Sequence, residues 1–320
     1  ADPCLYFKWI NNQLTIWLTW VDDCLTVGRK QIVLAEVEKM KRLYDCDDVG
    51  ELKEYVGCKV DRTEDSIKLT QPVMIQSFRD EFDLDFSGHQ PRTPGEPGSV
   101  LQKGEERNLM PKDEQKKFRK GVGKLLHMMR WTRPEILNSV REVSRYMSGA
   151  IESHMLAMKR IMKYVVTTLN RGLTLKPKRK WNGSPDFEFE LTGKSDSEYA
   201  KDESRRSVNG WSTFLEGAPI SMRSKMMPIV ALSVTEAELF SAVLCVQDMM
   251  FAMRVLNAMG LKVKLPMILE IDNKGAKDLV SNWSIGGRTR HIEVKQYFLR
   301  ELREAGILKV IWTSGDDMAS

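Results

Sequence analysis

Cysteine is scarce in this sequence, and nothing in its placement could staple a fold. Cys4, Cys24, Cys46, Cys58 and Cys245 are odd in number, scattered and without a C-x-x-C pair. That excludes a disulfide framework and a cysteine-rich zinc site, and it points to a reducing compartment. No apolar run approaches the length needed to cross a bilayer, and no secretory signal is visible. Methionine is missing from position 1. The chain starts abruptly in "ADPCLYFKW", which reads as a fragment or processed piece. A strong charge bias is missing too: the net charge of +5 is a mild preference for anionic partners. What remains, 42% apolar and 29% charged residues, is the composition of a soluble globular protein, and 320 residues suffice for two or three domains.

Hydrophobic periodicity divides the chain. Residues 1–90 read as α/β: "QLTIWLTWV" and "DCLTVG" are strands joined at an Asp pair, and "KQIVLAEVEKMKRLY" has a helical period. "ELKEYVGCKVDR" and "SIKLTQ" read as strands around a polar turn, and "PVMIQSFRDEF" as a helix with Pro72 in its first turn. The Pro- and Gly-rich stretch at 91–111 reads as a linker. Residues 112–171 read as a small helical bundle, its third helix starting at Ser153, a residue type favoured as N-cap. After a connection at 172–185, residues 186–320 give strand, strand, strand, helix, strand, helix, helix, strand. That order predicts an α/β domain with a mixed sheet.

Three acids of this last segment fall at element ends. Asp196 follows an alternating strand, Glu236 opens a long helix, and Asp272 ends a strand. Clustered carboxylates repel unless cations hold them, and hard oxygen ligands favour Mg²⁺ or Mn²⁺. Each acid also has a plain structural role open to it. Ser233-Val-Thr-Glu236 matches a capping box, Asp272 could be the polar end of a strand, and Asp196 lies in a polar stretch.

The ordered set "GKSDSEYAKDESRRSVNGWSTFLEGAPISMRSK", "VALSVTEAELFSAV", "EIDNKGAKDLV" and "RTRHIEVKQYFLRE" resembles the ribonuclease H domain of Ty/copia-type retrotransposon polyproteins. Upstream, "DPCLYF", "WVDD", "VGELKEYVGCKVDR", "KLTQ", "VGKLLHMMRWTRPEI" and "HMLAMKRIMKYV" resemble the end of the same family's reverse transcriptase. The resemblance covers essentially the whole chain. It implies a partial polymerase palm, a helical thumb and a ribonuclease H-like mixed-sheet domain. It also implies Mg²⁺-dependent hydrolysis of RNA in RNA–DNA hybrids, with Asp196, Glu236 and Asp272 as metal-binding acids. Glu236 is preferred to Glu238, which lies about 200° round the helix, because it aligns with the Thr-Glu step. A fourth acid is expected near the end of the chain, beyond Asp316 and Asp317, and His291 matches a family feature.

"WVDD" resembles the polymerase Tyr-x-Asp-Asp hairpin with Trp20 in place of Tyr. Asp22 is then the principal metal ligand and Asp23 its neighbour, with an earlier palm acid expected upstream. Lys159, Arg160, Lys163, Lys178, Arg179 and Lys180 crowd a stretch without acids that could contact phosphates of a template–primer or hybrid. The resemblance further implies the rest of the Pol polyprotein as partner, including upstream palm, fingers and integrase. It implies no membrane, and a cytoplasmic particle or the nucleus as location. Two other readings are an inactive nucleic-acid-binding remnant and an unrelated α/β metalloenzyme with a helical insert.

Overall fold

The computed structural model describes residues 2–200, 202, 204–281 and 293–315. Three antiparallel strands come first, β1 (Leu5–Ile10), β2 (Gln13–Trp20) and β3 (Asp23–Val27), then α1 (Lys30–Leu43). β1 carries no alternation that would reveal it in sequence; its burial runs irregularly along "LYFKWI". A second antiparallel sheet contains β4 (Glu54–Tyr55), β5 (Cys58–Arg62) and β6 (Ile67–Thr70).

The helical layer contains α2 (Pro72–Glu81), α3 (Lys112–Trp131), α4 (Leu137–Ser144) and α5 (Glu152–Thr167). α3 buries Phe118, Val122, Leu125 and Met128, one stripe of a helix. These pack on Val140 and Val143 of α4 and Met158, Ile161 and Met162 of α5. Fully burying each large apolar side chain contributes about 1.5–3 kcal/mol. Ile75, Phe78 and Phe82 share this core, so it crosses the Pro- and Gly-rich stretch at 91–111. The hydroxyl of Tyr146 donates to the Leu101 carbonyl at 2.5 Å and holds that stretch down. α5 starts at Glu152 with Ile151 as its cap, not Ser153. The buried His154 Nδ1 accepts the Ile151 N–H, the role that the Glu or Gln three residues on has in a capping box.

β7 (Leu173–Leu175) then pairs with β6, so part of the 172–185 connection belongs to the second sheet. Next come β8 (Glu188–Phe189), β9 (Leu191–Glu198), β10 (Val208–Leu215), β11 (Ala218–Met226) and α6 (Val234–Ala258). β12 (Lys262–Val263), β13 (Met267–Ile271), α7 (Lys274–Ser281), α8 (Glu293–Glu304) and β14 (Leu308–Trp312) complete the order. The main sheet has strand order β11-β10-β9-β13-β14. β9, β10 and β11 are antiparallel, and β13 runs parallel to both β9 and β14. This is the mixed sheet that the sequence order predicts.

α6 lies on that sheet through Leu239, Ala242, Cys245, Val246 and Met249. Gly193 makes the approach possible, since a Cβ there would stand 2.5 Å from Cys245 Sγ. By length and composition alone α6 could cross a bilayer, which corrects the expectation that no run is long enough. Its apolar residues serve the sheet instead.

Candidate metal centre

β9 and β13 are parallel neighbours with Ser195 opposite Ile271, so the next residues, Asp196 and Asp272, lie side by side; Asp196 is still within β9 rather than after it, while Asp272 follows the end of β13. α6 crosses over these strand ends. Ser241 Oγ, one turn into the helix from Glu238, lies 2.8 Å from both the Asp196 and Gly210 carbonyls and ties the helix to β9 and β10. The third acid is therefore Glu238. One carboxylate oxygen each from Asp196, Glu238 and Asp272 lies within 4.8 Å of the others.

Glu236 is not in this group. Its backbone N–H donates to Ser233 Oγ at 3.1 Å, and its Oε2 accepts the Leu232 N–H at 2.7 Å. It closes the start of α6 as the acid of a capping arrangement. The same 200° that separates the two residues on the helix turns Glu238 toward the strand ends and Glu236 toward the preceding loop. Ser233 three residues before Glu236 is the sequence signal that favours this assignment.

The Glu238 carboxylate is buried. Its Oε1 accepts from Ser197 Oγ at 2.7 Å and Ser197 N–H at 3.2 Å, while its Oε2 has no hydrogen-bond partner. Burial, then the neighbouring charges of Asp196 and Asp272, push the Glu238 carboxyl up to about 7. Burial and Asp196 also push Asp272 above the usual carboxylate range. A carboxyl raised in this way keeps its proton longer in the folded chain. Its stabilising contribution is full below 4.5, shrinks as pH rises, and is gone above about 7. The chelated protein is expected to lose about 3 kcal/mol across that window from this group. Urea unfolding checks this, with Glu238→Gln flattening the slope.

Three hard oxygen donors so close together, one of them on a carboxylate whose second oxygen has no protein partner, fit a divalent cation in charge and chemistry. A cleft of about 550 Å³ opens beside Asp196 and Asp272. Pro134 and Leu137 of the helical layer form one wall, and Trp211 and Arg223 of the sheet form the other.

The other sequence candidates lie elsewhere. Asp22 and Asp23 are exposed at the turn between β2 and β3, where Trp20 pairs with Asp23. They join no third acid among the described residues. Trp20 packs edge-on against Trp131. Acids distant in sequence come near parts of the basic stretch. Lys159 and Lys163 lie within electrostatic reach of Asp83 and Asp85, and Lys180 lies 3.8 Å from Glu64. Arg179 forms a two-pronged pair with the buried Glu216. The Lys178 N–H donates to the Glu216 carbonyl at 2.7 Å. Arg160 is different, lining a separate cavity. His291, Asp316 and Asp317 lie outside the described residues.

No family model matches the chain. The retrovirus-related Pol polyprotein from transposon TNT 1-94 of Nicotiana tabacum is 30% identical over 99% of this chain and 24% of its own length. The corresponding polyprotein from transposon RE1 of Arabidopsis thaliana is 28% identical over 99% of this chain and 21% of its own. Among solved structures, the foamy viral protease-reverse transcriptase in complex with dsDNA is similar at 13% identity and a TM-score of 0.48. That match covers 93% of this chain and 55% of the viral one. The chain thus spans less than a quarter of the length of these curated relatives. Along nearly all of its residues the chain is similar to one segment of the retrovirus-related Pol polyproteins of transposons.

Proposed function

We propose that the C-terminal domain hydrolyses the RNA strand of RNA–DNA hybrids, with Asp196, Glu238 and Asp272 holding Mg²⁺ or Mn²⁺. The observation that carries this reading is the approach of three carboxylates, one oxygen of each within 4.8 Å of the others, with Glu238 Oε2 buried and unpartnered. The cation, when bound, would activate a water and stabilise the leaving oxygen of a phosphodiester. The chain's own groups do the rest. Ser197 orients Glu238 through two hydrogen bonds. Arg223, on the cleft wall, offers a guanidinium to a backbone phosphate. Hybrids are selected through 2′-hydroxyl and backbone contacts rather than base sequence.

In the longer protein, Asp22 and Asp23 would serve the polymerase palm together with an acid from another strand. The segment from Lys159 to Lys180 would line the path of the template–primer. The partners are then hybrid or template–primer nucleic acid and the rest of the polyprotein, in a cytoplasmic particle or the nucleus. The test is cleavage of a labelled hybrid with Mg²⁺. The chain is expected to cleave it, and Asp272→Asn to lose cleavage while its circular dichroism stays unchanged. Retained cleavage in the variant overturns the site. Hybrid binding without cleavage by the unaltered chain would instead favour an inactive binding remnant.

A further inference from the structure

A second cavity, of about 600 Å³, lies in the helical layer away from the three acids. The Pro- and Gly-rich segment 94–101 forms one wall, and α4 and α5 the others. Gly95 allows the segment to lie against α4, since a Cβ there would stand 2.8 Å from Ser139 Oγ. Arg160 reaches this cavity, and its Nε is buried without a hydrogen-bond partner. Buried donors of that kind are rare, and Arg160 forms no ion pair among the described residues, so the two terminal nitrogens of its guanidinium are the groups left for an anion. Of the two acids on the wall, Glu142 is taken by Arg141 and Arg145 at 2.6 and 3.0 Å, and Glu96 forms no ion pair with Arg160.

The rest of the lining says what the anion is attached to. Pro97 and Leu156 give apolar surface for the faces of a ring. Ser139 and Ser153 give hydroxyls for its polar edges. Ser153 and Arg160 are seven residues apart on α5, about 10 Å by the helical rise, the span of one mononucleotide. A purely aliphatic acid would leave the hydroxyls unmatched, and a bare phosphate would leave the apolar walls uncovered.

We propose that this cavity is a nucleotide site, with the phosphate on Arg160 and the base against Pro97 and Leu156. The occupant's chemistry is that of a nucleoside monophosphate, supplied as a free nucleotide or as an unpaired end nucleotide of a strand. The site is independent of the hydrolytic centre, so its test does not depend on cleavage.

The probes are adenosine 5′-monophosphate, adenosine, inorganic phosphate, and a short duplex with or without one unpaired 5′-phosphorylated nucleotide. Titration calorimetry on the full chain is expected to show the monophosphate binding about tenfold more tightly than adenosine or phosphate alone. Arg160→Gln should weaken it about tenfold, and Arg160→Lys less. Leu156→Trp, at an exposed position that tolerates bulk, should block the site while leaving the melting temperature unchanged. A duplex preference for the overhang identifies a strand end as the source, and equal binding of both duplexes with monophosphate uptake identifies the free nucleotide. No uptake of the monophosphate, phosphate binding as tightly as the monophosphate, or undiminished uptake by both Arg160→Gln and Leu156→Trp overturns the proposal.

Discussion

Glu238→Gln is expected to slow Mg²⁺-dependent hybrid cleavage by roughly a hundredfold or more, while Glu236→Ala leaves the rate close to that of the unaltered chain. Stability should move the other way. Glu236→Ala removes the partner of the Leu232 N–H and should lower stability by about 1 kcal/mol. Glu238→Gln removes a carboxylate whose ionisation burial opposes, so without metal above about pH 7 the variant should be the more stable protein. Addition of Mg²⁺ should then stabilise the unaltered chain and not the variant. Cleavage rates and urea unfolding on the two variants measure the crossing. If Glu236→Ala abolished cleavage and Glu238→Gln did not, the group of three carboxylates would not be the active one.

This pair also shows how far the sequence could be read. Asp272 was legible because it ends a strand; Asp196 lies inside β9, two residues before its end, and adjacency of β9 and β13 brings the two acids together. Choosing between Glu236 and Glu238 needed the angle at which α6 meets the sheet, which no spacing of two residues discloses. The local signal was present and pointed the other way: Ser233-Val-Thr-Glu236 is a capping arrangement, and a residue so engaged is not available to a cation. Family alignment at the Thr-Glu step outweighed it in the sequence reading. The basic stretch shows a different limit, because a sequence does not disclose which charges from other elements come near it. No acid lies near it in the chain, yet Glu64, Asp83, Asp85 and Glu216 reach it from other elements. Charge counted along a sequence overstates charge presented by a surface whenever the counter-ions are long-range. β7 was illegible because three residues carry too little periodicity, and only pairing with β6 makes them a strand.

Arg133→Ala is expected to have the largest effect on stability, about 3–5 kcal/mol, and to lower the melting temperature by roughly 10 °C. The Arg133 side chain is only 1% exposed. Its Nε donates to Glu135 at 2.6 Å, its Nη2 to Thr168 Oγ1 at 2.6 Å, and its Nη1 lies 3.3 and 3.4 Å from the Thr168 and Val165 carbonyls. One guanidinium thus closes the C-terminal end of α5 and fixes the turn that enters α4. Truncation would orphan those carbonyls and leave a hole beneath Tyr164, whose ring the guanidinium covers. Arg133→Lys keeps the charge but cannot serve acceptors in several directions, so it should recover only part of the loss. Thr168→Val deletes two bonds, the one accepted from Arg133 and the one donated to the Tyr164 carbonyl, and should lose about 1–3 kcal/mol. Pro134 and Leu137 follow directly on Arg133 and wall the cleft beside Asp196 and Asp272. Hybrid cleavage at temperatures where Arg133→Lys is still folded should therefore show a raised KM with kcat little changed. A melting temperature indifferent to Arg133→Ala would refute the clamp, and an unchanged KM in Arg133→Lys would separate the helical layer from the substrate path.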